Sequence, residues 1–109
     1  MNYSMKKVAQ ITEVTSSTIR YYETIGVLPK FKRNENNIRY FTEEDIELIN
    51  LVKCLRRIGM PLSEVKENIT KFLSDDQKTT NEILIEHKEK LLKQIELLNF
   101  YIDEIDKKL

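Results

Sequence analysis

Glycine, proline and cysteine are scarce in this chain and tryptophan is missing: 109 residues include two glycines, two prolines and one cysteine. So little glycine and proline excludes collagen-like and low-complexity architectures. A single cysteine cannot build an intrachain disulfide framework or a multi-cysteine zinc site. No apolar run approaches the roughly 18 residues that a membrane span needs, and no signal-peptide core follows Met1. The protein is therefore expected in the cytoplasm, with no membrane partner. There is also no nucleophile–base pairing, no phosphate-cradling glycine loop and no cluster of metal-ligand residues, so no enzyme, cofactor or metal site is expected.

Net charge is lacking as well, since 18 basic residues balance 18 acidic ones. That balance conceals a gradient. Residues 1–71 hold 12 basic and 9 acidic side chains, and residues 72–109 hold 6 and 9. Residues 1–39 alone carry 7 against 3. A basic front with an acidic back is the charge distribution of a DNA-binding head with a protein-binding tail.

What is present is concentrated in residues 15–29, TSSTIRYYETIGVLP. Thr15 can cap a helix by accepting a bond from a first-turn amide. Gly26 suits the left-handed position after the helix end, and Pro29 stops any continuation. The helix between them offers Thr15, Ser16, Ser17, Thr18, Arg20, Tyr21 and Tyr22, which can bond phosphates and base edges; it is read as a recognition helix. Upstream, Ser4 can cap a helix in which Met5, Val8, Ala9 and Thr12 share one face. The short connection through Glu13 and Val14 makes the pair a helix-turn-helix, with Val14 and Ile19 at its joint. Downstream, an Asn-rich tip between β-prone residues 30–32 and 38–41 predicts a basic hairpin, or wing. Its Lys30, Lys32, Arg33, Asn37 and Arg39 are the candidates for gripping the nucleic-acid backbone, Arg33 and Arg39 foremost.

Thr42 and Asp45 form a capping-box start for a third helix, in which Ile46, Ile49, Leu51 or Val52, Leu55 and Ile58 recur at helical spacing up to Gly59. Leu62, Val65 and Ile69 mark a fourth helix that should complete the core. The polar residues 74–79 read as a linker, and Thr80 can cap a final helix. There Leu84, Leu91, Leu98 and Ile105 alternate with Ile95, Ile102 and Leu109 in a heptad seam, interrupted by Lys88. Such a helix is roughly 40 Å long at 1.5 Å per residue. The head is too small to cover it, so the seam is expected to meet a second copy, in an orientation the pattern leaves open. His87 falls at a flanking heptad position, expected at the rim of that pairing.

Residues 19–23 (IRYYE), 25–29 (IGVLP), 37–42 (NIRYFT) and 58–62 (IGMPL) together resemble the signature of the MerR family of bacterial transcription regulators. The resemblance runs through about residues 3–71, and the heptad helix is similar to the family's dimerisation helix, which pairs antiparallel. It implies a dimer on a pseudo-palindromic operator whose promoter spacer is too long, bent and untwisted so that RNA polymerase can use it. It also implies DNA contacts from Arg20, Tyr21, Tyr22 and the wing residue Arg39. Glu13 and Asn37 stand where the family usually has glycine, and Ser17 where many members have a basic residue. Metal-sensing members carry cysteines where this chain has Thr79, Thr80 and Asn81, and drug-sensing members append a further domain; neither effector is expected.

Cys54 remains. Lys53 beside it and Arg57 one turn on would favour the reactive thiolate, and residues 49–59 resemble a thiol-responsive subgroup with a lone cysteine at this place. Two readings stay open: a sensor thiol whose modification alters helix packing, or a small buried hydrophobe. The expected protein is mainly α, with a winged helix-turn-helix DNA-binding domain over residues 1–71, a linker over 72–80 and a dimerisation coiled-coil helix over 81–109. Its expected function is sequence-specific transcription regulation as a homodimer, with double-stranded promoter DNA, a second copy and, indirectly, RNA polymerase as partners. The alternatives are an architectural or excisionase-like DNA-bending protein, and an adaptor in which only the seam matters.

Overall fold

The computed structural model describes residues 2–74 and 78–109. Each helix among them begins where its sequence offers a side chain to the first free amides, except one. Helix α1 (Met5–Thr12) is capped by Ser4, which accepts from the Lys7 amide at 3.1 Å. Helix α2 (Ser16–Thr24) is capped by Thr15, which accepts from the Thr18 amide at 3.2 Å. Helix α3 (Glu43–Arg57) opens with the full capping box, Thr42 and Asp45 bonding each other's amides reciprocally. Helix α4 (Leu62–Leu73) follows Pro61 with no side-chain cap. The long α5 (Thr80–Lys108) is capped by Thr79 rather than by Thr80. Thr79 keeps extended backbone angles while Thr80 is already helical, and only the extended residue can fold its hydroxyl back onto the Glu82 amide.

The helix-turn-helix forms as the pattern requires. Val8 and Thr12 of α1 and Ile19 of α2 are buried, and Val14 packs partly against the core they join. The buried Thr12 hydroxyl donates to the Val8 carbonyl at 2.8 Å and accepts from the Val14 amide at 3.2 Å, so it ties the turn internally. That turn is left-handed at Glu13 (φ 58°), where glycine would be at ease. Around these helices close Leu28, Phe31, Phe41, Ile49, Val52, Leu55, Met60, Val65 and Ile69. The rings of Phe31 and Phe41, one on each side of the wing, lie 4.8 Å apart and fasten its base to the core.

The wing is slighter than a two-stranded hairpin. Its arms pair at a single isolated bridge, Arg33 with Arg39, and a second bridge joins Phe41 to Tyr3 at the front of the chain. The tip is organised by Asn34, whose side-chain oxygen accepts from the amides of Asn36 and Ile38, and by Asn37 in left-handed geometry (φ 62°). An Asx-type tip of this length leaves too few residues for a ladder.

The expected linker 72–80 is helical at both ends, residues 72 and 73 in α4 and residue 80 in α5; residues 75–77 lie outside the described residues. Helix α5 splits into two parts. Ile83 and His87 are buried against the head and Leu84 packs partly on its core, whereas residues 88–109 are exposed throughout. The placement of His87 at a pairing rim is thereby corrected, and Leu84, expected in the seam, is partly buried on the head. The first turns of α5 belong to the head because Ile83 is buried in its core cluster and His87 reaches the Ile58 carbonyl; the rest is an arm, which draws the molecule out to 67 × 30 × 21 Å.

Phe41 is fully buried where the end of the wing, bridged to Tyr3, meets the core. Phe41→Ala is expected to cost about 3–5 kcal/mol in urea unfolding; a cost below about 1 kcal/mol would contradict this packing.

Candidate nucleic-acid interface

Helix α2 turns one side of its surface inward and leaves the other to solvent. Ile19 is fully buried and Tyr22 half-buried against the core, while Ser17, Arg20 and Tyr21 are exposed. Tyr21 is 52% exposed, a high value for an aromatic side chain on a short helix packed this closely. The two adjacent tyrosines, with centroids 6.0 Å apart, therefore have different tasks: Tyr21 faces out and Tyr22 holds the helix down. Not all hydroxyls of the N-terminal turn are free either. Thr15 is occupied as the cap, with its hydroxyl 2.8 Å from that of Thr18 and 3.2 Å from that of Ser17. An open cleft between α1 and α2, lined among others by Lys6, Gln10, Thr15, Ser16 and Arg20, runs past this end of the helix.

The wing is held to α2 by one carboxylate. Glu23, in the last turn of α2, accepts from Arg39 Nη2 at 2.8 Å and Nε at 3.1 Å, and its other oxygen accepts from the Phe31 amide at 2.9 Å. Phe31 enters the wing and Arg39 leaves it, so both arms are anchored at one point. The side chains are largely shielded, 10% exposed for Glu23 and 21% for Arg39. The bidentate bonds from Arg39 outweigh burial and hold the Glu23 carboxyl below the usual glutamate range, with the Phe31 amide adding to the effect. Arg39, expected as a backbone contact, has one edge of its guanidinium, Nε and Nη2, committed to Glu23. Arg33 donates to the Asn37 carbonyl at 3.1 Å, which braces the tip, and Asn37 serves as the left-handed turn residue.

Among the described residues, Arg56, Arg57, Lys66, Lys88, Lys93 and Lys108 on or after α3 have no carboxylate within ion-pair distance, and neither do six cations in the front of the chain, Lys6, Lys7, Arg20, Lys30, Lys32 and Arg33. The latter lie along α1, α2 and the wing, on either side of the exposed face of Ser17, Arg20 and Tyr21. Such a stripe of free cations beside a polar helix face suits a phosphate backbone beside a groove. Sequence reasoning passed over Lys6 and Lys7, whose signal was their place in the basic front, and over Glu23, which has no local signal as an anchor.

Two side chains on α3 complete the picture. Lys53 does not accompany Cys54; its ammonium donates to the Thr12 carbonyl at 2.8 Å and lies 3.5 Å from Glu13, across the helix-turn-helix turn. Cys54 is exposed, so its reading as a buried hydrophobe is corrected. Among the described residues no group of three or more potential metal ligands is assembled, and no helix is long and apolar enough to cross a membrane.

The Glu23–Arg39 pair carries a pH signature. A carboxylate with a depressed folded-state pKa contributes stability that is present above its unfolded value of 4.5 and is lost as pH falls through the lower folded value. Glu23→Gln should therefore lower stability at neutral pH and unfold with a flatter acid limb than wild type. Urea midpoints between pH 3 and pH 7, about the range of carboxylate titration, check this; parallel curves would refute it.

Comparison with known proteins places this geometry. Residues 3–71 match the family described as MerR HTH family regulatory protein. The HTH-type transcriptional regulator AdhR of Bacillus subtilis is 33% identical over 91 residues, covering 82% of this chain and 65% of AdhR. An uncharacterised HTH-type transcriptional regulator of the same organism, YyaN, is 43% identical over 65 residues, covering 60% of this chain and 47% of YyaN. The chain thus spans less than two thirds of the length of either relative. Among solved structures, HiNmlR, a MerR family regulator lacking the sensor domain and bound to promoter DNA, superimposes with a TM-score of 0.69 at 32% identity, covering 94% of this chain and 80% of HiNmlR. With a family match over most of its length and the helix-turn-helix, wing and long terminal helix in place, this chain belongs to the MerR family of HTH regulators.

Proposed function

We propose that the protein is a DNA-binding transcription regulator that acts as a homodimer on promoter DNA. The observation that carries this reading is the stripe of unpaired cations flanking the exposed face of α2. In this reading α2 enters the major groove with Ser17, Arg20 and Tyr21 toward the bases, while Lys30 and Lys32 on the wing and Lys6 on α1 bind phosphates. Ser16, Thr18, Tyr22 and Arg39 support the interface from behind. The likeness to a regulator solved on promoter DNA supports it.

The second copy follows from the arm. Leu91, Ile95, Leu98, Ile102, Ile105 and Leu109 are exposed apolar residues on one heptad face, a surface that a single chain leaves in water. Pairing two arms sets two heads at a fixed separation, which favours a regulator over the architectural DNA-bending alternative. In the fuller mechanism the dimer deforms a promoter with an overlong spacer, and the stored deformation realigns the elements that RNA polymerase reads.

Cys54 supplies the switch in this proposal. Its thiol is exposed near the end of α3, and its neighbour Lys53 fastens α3 to the turn that precedes α2. Addition of the thiolate to an electrophile would place bulk on α3 next to that tie and so bias the setting of α2.

For duplex DNA carrying the operator, Arg20→Ala should weaken binding by about 1–3 kcal/mol, as lost base contacts do. The pair Lys30→Ala/Lys32→Ala should instead lower the salt slope of log K by roughly 1–2 with little change in sequence preference. Fluorescence anisotropy across salt concentrations measures both, and unaltered binding by Arg20→Ala would remove α2 from the groove. In a reporter strain exposed to formaldehyde or methylglyoxal, Cys54→Ser should abolish the response; an undiminished response rules out the thiol switch.

A further inference from the structure

Helix α5 joins the head through very few groups, and His87 is the buried polar one among the described residues. Ile83 is 1% exposed and His87 6%, one helical turn apart. The imidazole Nε2 lies 2.8 Å from the carbonyl oxygen of Ile58, the C-cap residue of α3. A carbonyl can only accept, so Nε2 carries the proton and Nδ1 of the neutral ring is an acceptor. That Nδ1 is buried, and no donor among the described residues reaches it.

A buried nitrogen without a partner is a cost that leucine at this position would avoid. What the imidazole adds is direction, because a rigid ring with one bond accepts few settings of α5 on the end of α3. The other polar ties at this joint are looser. Lys90 lies 3.7 Å from Glu64 on the surface, and Lys78 reaches Asn68 at 3.0 Å and also Glu86 through a flexible ammonium stem. Both can follow a small rotation of the helix; the ring cannot.

The joint sits at the root of a lever. From residue 87 to residue 109 the helix extends about 33 Å at 1.5 Å per residue. A tilt of about 6° at the root therefore moves the far end by about 3.4 Å, the rise of one base pair. We propose that His87 is a positioning residue that sets the angle of the arm on the head, and through it the half-site separation that the paired heads accept. This rests on the reading of the protein as a dimeric DNA-binding regulator.

The test uses the full chain and the inverted-repeat duplex that wild type selects from a randomised pool, with the centre lengthened or shortened one base pair at a time. His87→Gln keeps an N–H donor near the place of Nε2, and His87→Leu keeps bulk but loses the bond. His87→Gln is expected to retain the wild-type spacing optimum and DNA end-to-end distance, read by energy transfer. His87→Leu, shown folded by circular dichroism and dimeric by sedimentation, should prefer the wild-type spacing over its neighbours by about tenfold less than wild type does. If His87→Leu fails to fold, His87→Asn, too short to reach the Ile58 oxygen, is read by the same criteria. A wild type that selects no duplex removes the DNA-binding reading and this inference with it. A wild type with a sharp optimum that the donor-less variant shares, at the same end-to-end distance, overturns the role of His87 alone.

Discussion

The interface depends on one carboxylate. Glu23 stands in the last turn of α2, where the helix dipole is negative and an acidic side chain is out of place. It is kept there because the Arg39 guanidinium and the Phe31 amide converge on it from the two arms of the wing. A wing with a single backbone bridge has little shape of its own. This ion pair, together with the tilted ring contact of Phe31 and Phe41, gives it a fixed place beside α2. Lys30 and Lys32 can remain unpaired on its surface because the structural demand for a cation is met by Arg39.

A similar division of labour runs through α3. Its buried face, with Leu48, Ile49, Val52 and Leu55, is the wall against which the helix-turn-helix closes. Lys53 reaches from it to the Thr12 carbonyl and steadies the turn that Glu13 enters in left-handed geometry. Its C-terminal carbonyl at Ile58 receives His87 from α5. Helix α3 thus touches both the part that would meet a nucleic acid and the part that would meet a second copy. Cys54 and the partner of His87 both belong to this one element.

Much of this was legible in the chain itself. The caps at Ser4, Thr15 and Thr42 and the breaks at Gly26 and Gly59 act over three or four residues, so local sequence specifies them. The left-handed positions at Glu13 and Asn37 were also foreseeable, because both follow from departures in short motifs. Helical and heptad periodicity marked the core faces and the arm, since periodicity is the imprint of one-sided burial. The hairpin was overestimated: residues that favour strands individually were used as anchors.

Composition, periodicity and capping thus determined the order of the helices, the charge gradient and the apolar seam, all of which depend on neighbours within a few turns. Which side chains face solvent as free groups was decided by partners far along the chain. Arg39 reads as a ligand for phosphate until Glu23, sixteen residues away, takes its guanidinium. His87 reads as a rim residue until the carbonyl of Ile58, twenty-nine residues away, accepts its N–H bond. Charge and hydrogen-bonding capacity are written in the sequence, but their availability is what remains after the fold has satisfied its own buried groups, and only tertiary structure performs that subtraction.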